Sequence, residues 1–340
     1  MADSMTRRSL IRAGLGLPAL AGSKARAQSN ARRQADITVA ITVDTRPDWS
    51  GPPNFIRSID EASSVGYHWI ETFWPYVARW ENNPQGLKDE LDKRNLKLET
   101  VSNGGGMRTD FVDARQRAGV IEDHLKLIRF LHGFGCDHLK INCGGQQPDP
   151  RDRLPVYKEM SVTFNEIGRR MADMGMRFGV HAHLNSSFEI RQDVDTIMEL
   201  TNPKWVYLVI DTGHTSMAGM DPVKLTHTYS SRIVEYHMKD VLPEHRGGYM
   251  GPPRPRLERG QGGGRGQPPP PPSGVNPYIG RRQFFELGKG GVDFPGILAI
   301  LNERRWKGWM TVELDSTETT AKESCAVSKK YIETVLGLKV

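Results

Sequence analysis

Apolar, β-branched runs recur along the chain at regular intervals, and most end in a polar residue. The first, residues 37–44, reads Ile37-Thr38-Val39-Ala40-Ile41-Thr42-Val43-Asp44. Comparable runs follow at 67–74, 96–103, 138–144, 177–184, 207–214, 233–240 and 308–314. Between several of them the apolar positions switch to helical spacing. Residues 54–65 carry Phe55, Ile56, Ile59 and Ala62; 113–134 carry Val120, Ile121, Leu125, Ile128 and Leu131; 155–174, 193–200 and 293–304 read likewise. Strands alternating with helices predict a parallel sheet, because each crossover helix returns the chain to the same edge. Eight such strands make a closed (β/α)8 TIM barrel of class α/β the leading topology, ahead of an open doubly wound sheet. No Gly-x-Gly-x-x-Gly opens the first strand–helix turn, which argues against a dinucleotide fold.

Two segments depart from this alternation. Residues 1–27 hold the pair Arg7-Arg8, an apolar run from Ala13 to Gly22, and Ala25-Arg26-Ala27. Charged, apolar and small-x-small parts in that order predict a twin-arginine export signal, too short in its apolar part to span a bilayer. A polar stretch, 28–36, would then lead into a single barrel domain over 37–340, and the mature chain is expected in the periplasm without stable membrane insertion. The second departure is a Pro/Gly/Arg-rich insertion at 243–282, after the seventh strand. Residues 251–276 alone hold seven glycines, eight prolines and four arginines, a composition that cannot bury a core and predicts polyproline or no fixed structure. A surface insertion is favoured over a substrate lid.

Charge and cysteines narrow the picture. The leader carries Arg7, Arg8, Arg12, Lys24 and Arg26 against Asp3, a net of +4 that leaves +2 of the chain's formal +6 for the remainder. A basic footprint for nucleic acid is therefore weak. Cys136, Cys143 and Cys325 are too few for a disulfide framework.

Candidate chemistry gathers at the ends of the late strands. Phe178-Gly179-Val180-His181-Ala182-His183 places two histidines two apart, on one side of a strand. Asp211-Thr212-Gly213-His214 ends the sixth strand, Glu235-Tyr236-His237-Met238-Lys239-Asp240 the seventh, and Glu313-Leu314-Asp315 the eighth. Barrel closure would bring these groups to one rim, where mixed imidazole and carboxylate ligands suit one divalent ion: manganese first, with cobalt, magnesium, zinc or iron also compatible. A metal-free acid/base site built from the same groups is the alternative. His214, Glu189 and Asn103 are expected to contact substrate.

Residues 209–222 and 232–240, with the ending 287–298 and 308–315, resemble the xylose isomerase-like barrel superfamily of sugar isomerases and epimerases, in particular its inosose dehydratase-like and keto-sugar epimerase branches. The resemblance spans roughly residues 37–336. It implies that Asp211, His237 and Glu313 are metal ligands and that His181 stands where the epimerases carry a fourth, glutamate ligand. It implies also that Glu313, His183, Lys239 and Glu71 act on substrate. In those epimerases two glutamates shuttle protons, and one of the two is absent here; the His-x-His pair is similar to that of the dehydratase-like branch.

The expected activity is a metal-dependent isomerase or epimerase that removes a proton beside a carbonyl of a sugar or keto-sugar, through an enediolate. An inosose dehydratase-like or keto-glycoside lyase shares the same intermediate and is the alternative. The expected partner is a small carbohydrate or cyclitol, not nucleic acid, and a homo-oligomer is compatible with the sequence. Asp211-Thr212-Gly213-His214 also resembles the endonuclease IV branch, but the early strands offer only His68 and His138, both near strand starts. A non-catalytic periplasmic sugar binder would not need the metal triad.

Overall fold

A computed structural model describes residues 34–43, 54–145, 153–247, 284–315 and 317–340. The expected leader and the body of the expected insertion, residues 248–283, lie outside the described residues, as does Asp44. Eight parallel strands are present where the apolar runs fall: β1 Asp36–Thr42, β2 Trp69–Phe73, β3 Lys97–Ser102, β4 His138–Asn142, β5 Arg177–His181, β6 Val206–Asp211, β7 Ile233–Met238 and β8 Lys307–Val312. They pair in the order β3-β2-β1-β8-β7-β6-β5-β4, with β1 closing onto β8 over six residue pairs.

The remaining seam, between β3 and β4, is closed by side chains in place of a backbone ladder. The Thr100 hydroxyl donates to the His138 carbonyl at 3.0 Å. The Asn103 amide donates to the Asn142 carbonyl at 3.1 Å, and its oxygen accepts from Asn142 N–H at 2.8 Å. A buried backbone polar group must find some partner, and a carboxamide can imitate a strand. Asn103 is therefore engaged in closing the barrel.

Among the described residues, eight longer helices wrap the sheet: α1 Phe55–Val65, α2 Pro84–Asp92, α3 Arg117–Phe134, α4 Arg153–Asp173, α5 Arg191–Leu200, α6 Pro222–Tyr229, α7 Phe294–Arg304 and α8 Ala321–Tyr331. Apolar periodicity does not single out three of them, α2, α6 and α8. Their ends are nonetheless written locally. Asn83 and Asp221 cap α2 and α6 just before a proline at the first helical position, and Thr320 with Glu323 forms a capping box on α8. Among the described residues no helix is long and apolar enough to cross a membrane.

Two register shifts shape the interior. β2 pairs Ile70 with Leu98 but Glu71 with Thr100, so Glu99 is an extra residue on β3. β6 pairs Leu208 with Ile233 but Val209 with Glu235. Such bulges re-aim side chains, and both fall beside the polar core of the barrel.

Candidate metal centre and its buried support

The Asp211-Thr212-Gly213-His214 turn explains how the first carboxylate is aimed. Asp211 caps a short helix, Thr212–Met217: its Oδ1 accepts from Gly213 N–H at 2.9 Å and His214 N–H at 2.8 Å. Its other oxygen, Oδ2, is left facing the barrel axis. The Thr212 hydroxyl ties this turn to the end of β7, donating to the Lys239 carbonyl at 2.7 Å and accepting Lys239 N–H at 2.9 Å. Only glycine fits at 213, because a Cβ there would meet Lys239 Cβ and the Phe284 ring at 2.7 Å.

Around Asp211 Oδ2 the expected ligands converge. His181 Nε2 lies 3.3 Å away and His237 Nδ1 3.9 Å away, while His237 Nδ1 touches Glu313 Oε2. His181, Asp211 and His237 together form a buried group able to share an ion. The His181 contact carries the most information. Its Nδ1–H donates to Asn142 Oδ1 at 2.6 Å. Burial first, then Lys140 and His237, holds its pKa well below the usual histidine range. With Nδ1 on Asn142, Nε2 is the ring nitrogen turned toward Asp211 Oδ2, where the two could share a cation. Two imidazole nitrogens and two carboxylate oxygens at such separations match donors arranged about 2 Å from one divalent ion.

Lys239 completes the rim. Its ammonium, fully buried, lies 3.2 Å from Asp211 Oδ2, 3.0 Å from Glu313 Oε2 and 3.3 Å from Asp315 Oδ1, and donates to His214 Nε2 at 3.1 Å. Burial opposes its charge, but Asp211, Asp315 and Glu313 outweigh that and raise its pKa. Against the cost of burial, Lys239 and His237 hold Glu313 well below the usual carboxylate range. The His183 and His214 rings stack with centroids 3.7 Å apart. Burial depresses both, with Lys239 adding to the effect at His183 and His183 itself at His214. His183 lies just past the end of β5, half-buried, its Nδ1 2.6 Å from the Leu184 carbonyl.

The other expected residues fall elsewhere. Glu71 lies inside the barrel, beneath the rim: it accepts from Thr42 at 2.9 Å and Ser102 at 2.6 Å, pairs with Lys140 at 3.0 Å, and sits 2.7 Å from His237 Nε2. Its carboxyl is lowered despite burial, chiefly by His237 and Lys140. Asn103 belongs to the β3–β4 seam described above. Glu189 is half-buried before α5, where its backbone N–H donates to Asp193 Oδ2 at 2.9 Å. The Gly288-Lys289-Gly290-Gly291 run is structural. The amides of Gly288 and Gly290, with those of Val241 and Val292, surround the Asp240 carboxylate at 2.8–3.0 Å.

Sequence reasoning missed a buried ionic layer below the rim. Glu99, His138, Lys140 and Glu235 are all at most 1% exposed. Asn142, whose Oδ1 lies 2.6 Å from His181 Nδ1, was missed as well, although it ends β4 as the expected ligands end their strands.

The chain belongs to the xylose isomerase-like TIM barrel family, whose model matches residues 59–331. It is similar to an inosose dehydratase of Clostridium beijerinckii, 24% identical over 314 residues that cover 88% of this chain and 95% of that protein. Its fold matches a D-allulose 3-epimerase from Methylomonas sp. (TM-score 0.63, 16% identity, 88% of this chain and 98% of the other). It also matches the IOLI protein with a bound zinc atom (TM-score 0.63, 14% identity, 88% and 98%). The chain is an enzyme of this family, and its rim fits a divalent metal.

Proposed function

We propose that this enzyme is a metal-dependent dehydratase of a cyclitol ketone, removing a proton beside the carbonyl and expelling the β-hydroxyl as water. His181, Asp211, His237 and Glu313 would hold the ion, which when bound supplies Lewis-acid polarisation of the substrate carbonyl. The observation that carries the reading is His183. Its Nδ1–H is anchored on the Leu184 carbonyl, so Nε2 keeps its lone pair, and its lowered pKa keeps the ring neutral. A neutral imidazole at the barrel mouth is a general base. The pair of electrons from the α C–H bond forms the new C=C bond as the C–O bond breaks. The imidazolium then returns its proton to the departing hydroxide, so that water leaves and His183 is restored. The Lys239 ammonium, beside Asp211 and Glu313, would stabilise negative charge on the carbonyl oxygen. His214 accepts from Lys239, so its Nδ1 bears the proton, and that buried atom has no partner among the described residues; it is a donor for a substrate oxygen.

Epimerisation through two carboxylates fits less well, because the β5 position offers His181 and not a glutamate. The similarity to an inosose dehydratase supports the same preference. Incubation with a panel of inososes and ketohexoses, followed by the ultraviolet absorbance of the unsaturated ketone, tests the assignment. Absorbance growth with inososes is expected; epimerised ketohexose with no water loss from any cyclitol would overturn it. We also propose export, on Arg7-Arg8 and Ala25-x-Ala27: exported protein should begin at Gln28, and replacing both arginines by lysine should retain it in the cytoplasm.

A further inference from the structure

Below the rim, the barrel interior holds a group of ionisable side chains that the chemistry above does not use. Glu99 from β3, His138 from β4 and Glu235 from β7 are each 0% exposed. One ligand-capable atom from each lies within 4.8 Å of the other two. Glu235 Oε2 is 3.1 Å from His138 Nε2, and Glu99 Oε1 is 3.9 Å from the same nitrogen. We infer that these three residues form a second, wholly buried site for a dication of the zinc type.

Three observations support it. First, the acceptors are under-satisfied. Glu99 Oε1 accepts from the Thr311 hydroxyl at 2.8 Å, but Glu99 Oε2 is buried with no partner among the described residues. Glu235 Oε1, 3.1 Å from His237 Nε2, lacks hydrogen-bond alignment. A buried carboxylate oxygen without a donor costs free energy and calls for an explanation.

Second, the imidazole is prepared as a ligand. His138 Nδ1–H donates to Asp137 Oδ1 at 2.8 Å, and that carboxylate is itself held by Trp309 Nε1 at 3.0 Å. A carboxylate behind a histidine fixes the tautomer and leaves Nε2 as the lone-pair donor, which is the usual outer support of a histidine metal ligand.

Third, the donor set suits an ion. Glu71 is occupied by Lys140 at 3.0 Å, which leaves the Glu99 and Glu235 carboxylates facing the His138 imidazole. One imidazole and two carboxylates, one of them bidentate, complete a four-donor set for zinc.

The test is metal stoichiometry on protein expressed with zinc supplementation and dialysed against EDTA after folding. A site with no solvent access exchanges slowly, so wild type should hold two zinc ions before chelation and keep one after it. Asp211→Asn should hold one, resistant to EDTA; Glu99→Gln should hold one, removable by it. Wild type that keeps no ion after EDTA, or Asp211→Asn that holds none, overturns the inner site. These outcomes are independent of the dehydratase assignment, which concerns the rim alone. Should Glu99→Gln not fold, wild type and Asp211→Asn still decide the question.

Discussion

The rim and the interior of this barrel use the same residue types to opposite ends. At the rim, His181, Asp211, His237 and Glu313 come from the late strands, and partners on neighbouring elements aim them, as Asn142 aims His181 and the Thr212–Met217 turn aims Asp211. One layer down, Glu71, Glu99, His138 and Lys140 come from the early strands and meet Glu235 and His237 across the axis. At the rim His183 is half-buried; in the lower layer Glu71, Glu99, His138, Lys140 and Glu235 are all at most 1% exposed. The contrast teaches that a buried acid or histidine in a barrel is not by itself a catalytic residue. Position along the strand decides, the end being for chemistry and the middle for supporting it.

Removing a rim ligand should have the largest effect. Asp211→Asn keeps the shape of the side chain and its cap, yet takes a charged donor from the ion. Its kcat/KM should fall by on the order of 10³-fold or more, in line with the several kcal/mol a Lewis-acid metal supplies. Unchanged circular dichroism and lost EDTA-exchangeable metal should accompany it. Retention of that metal at full stoichiometry would move the site elsewhere.

His183→Gln should cost ~10²–10⁴ in kcat while the rim metal stays bound, as expected for a lost general base. The pH profile sharpens this. The base must be neutral, so activity falls as pH falls through its pKa, and burial with Lys239 holds that pKa below the ordinary value. The acid limb of wild-type kcat/KM should therefore lie below the ~6.5 of a free histidine. A limb above ~6.5 would contradict the neutral-base assignment.

The smallest effect on chemistry is expected at Asn103. Asn103→Ala unties the β3–β4 seam and leaves buried Asn142 backbone groups unpartnered, a loss of about 1–3 kcal/mol of stability. Denaturant titration should detect it, with KM for substrate little changed. A large KM rise at unchanged stability would restore Asn103 to the substrate.

Much of this is legible in the sequence. All eight strands follow apolar runs, and His181, Asp211, His237 and Glu313 do converge as one-rim placement requires. Three helices are hidden because α2, α6 and α8 each bury at most two apolar side chains, with their information in caps and not in periodicity. The lower layer is hidden for a different reason. Glu99 enters the interior through a bulge that periodicity cannot foresee, and His138 looks remote from the rim because its partner, Glu235, is 97 positions away. Asn103 follows β3 directly, as the expected ligands stand at the ends of other strands, and nothing local distinguishes a seam residue from a substrate contact. The ranking of reactions also changes, from epimerase first to dehydratase first, on the β5 histidine and the dehydratase relative.

The most direct test of the account is the location of the exchangeable ion at the rim. Crystals soaked with manganese should give an anomalous peak about 2.0–2.3 Å from His181 Nε2, Asp211 Oδ2, His237 Nδ1 and Glu313 Oε2, with Lys239 displaced from between the two carboxylates. A peak lacking His181 or Asp211 from its ligands, or no peak at the rim at saturating manganese, would contradict it.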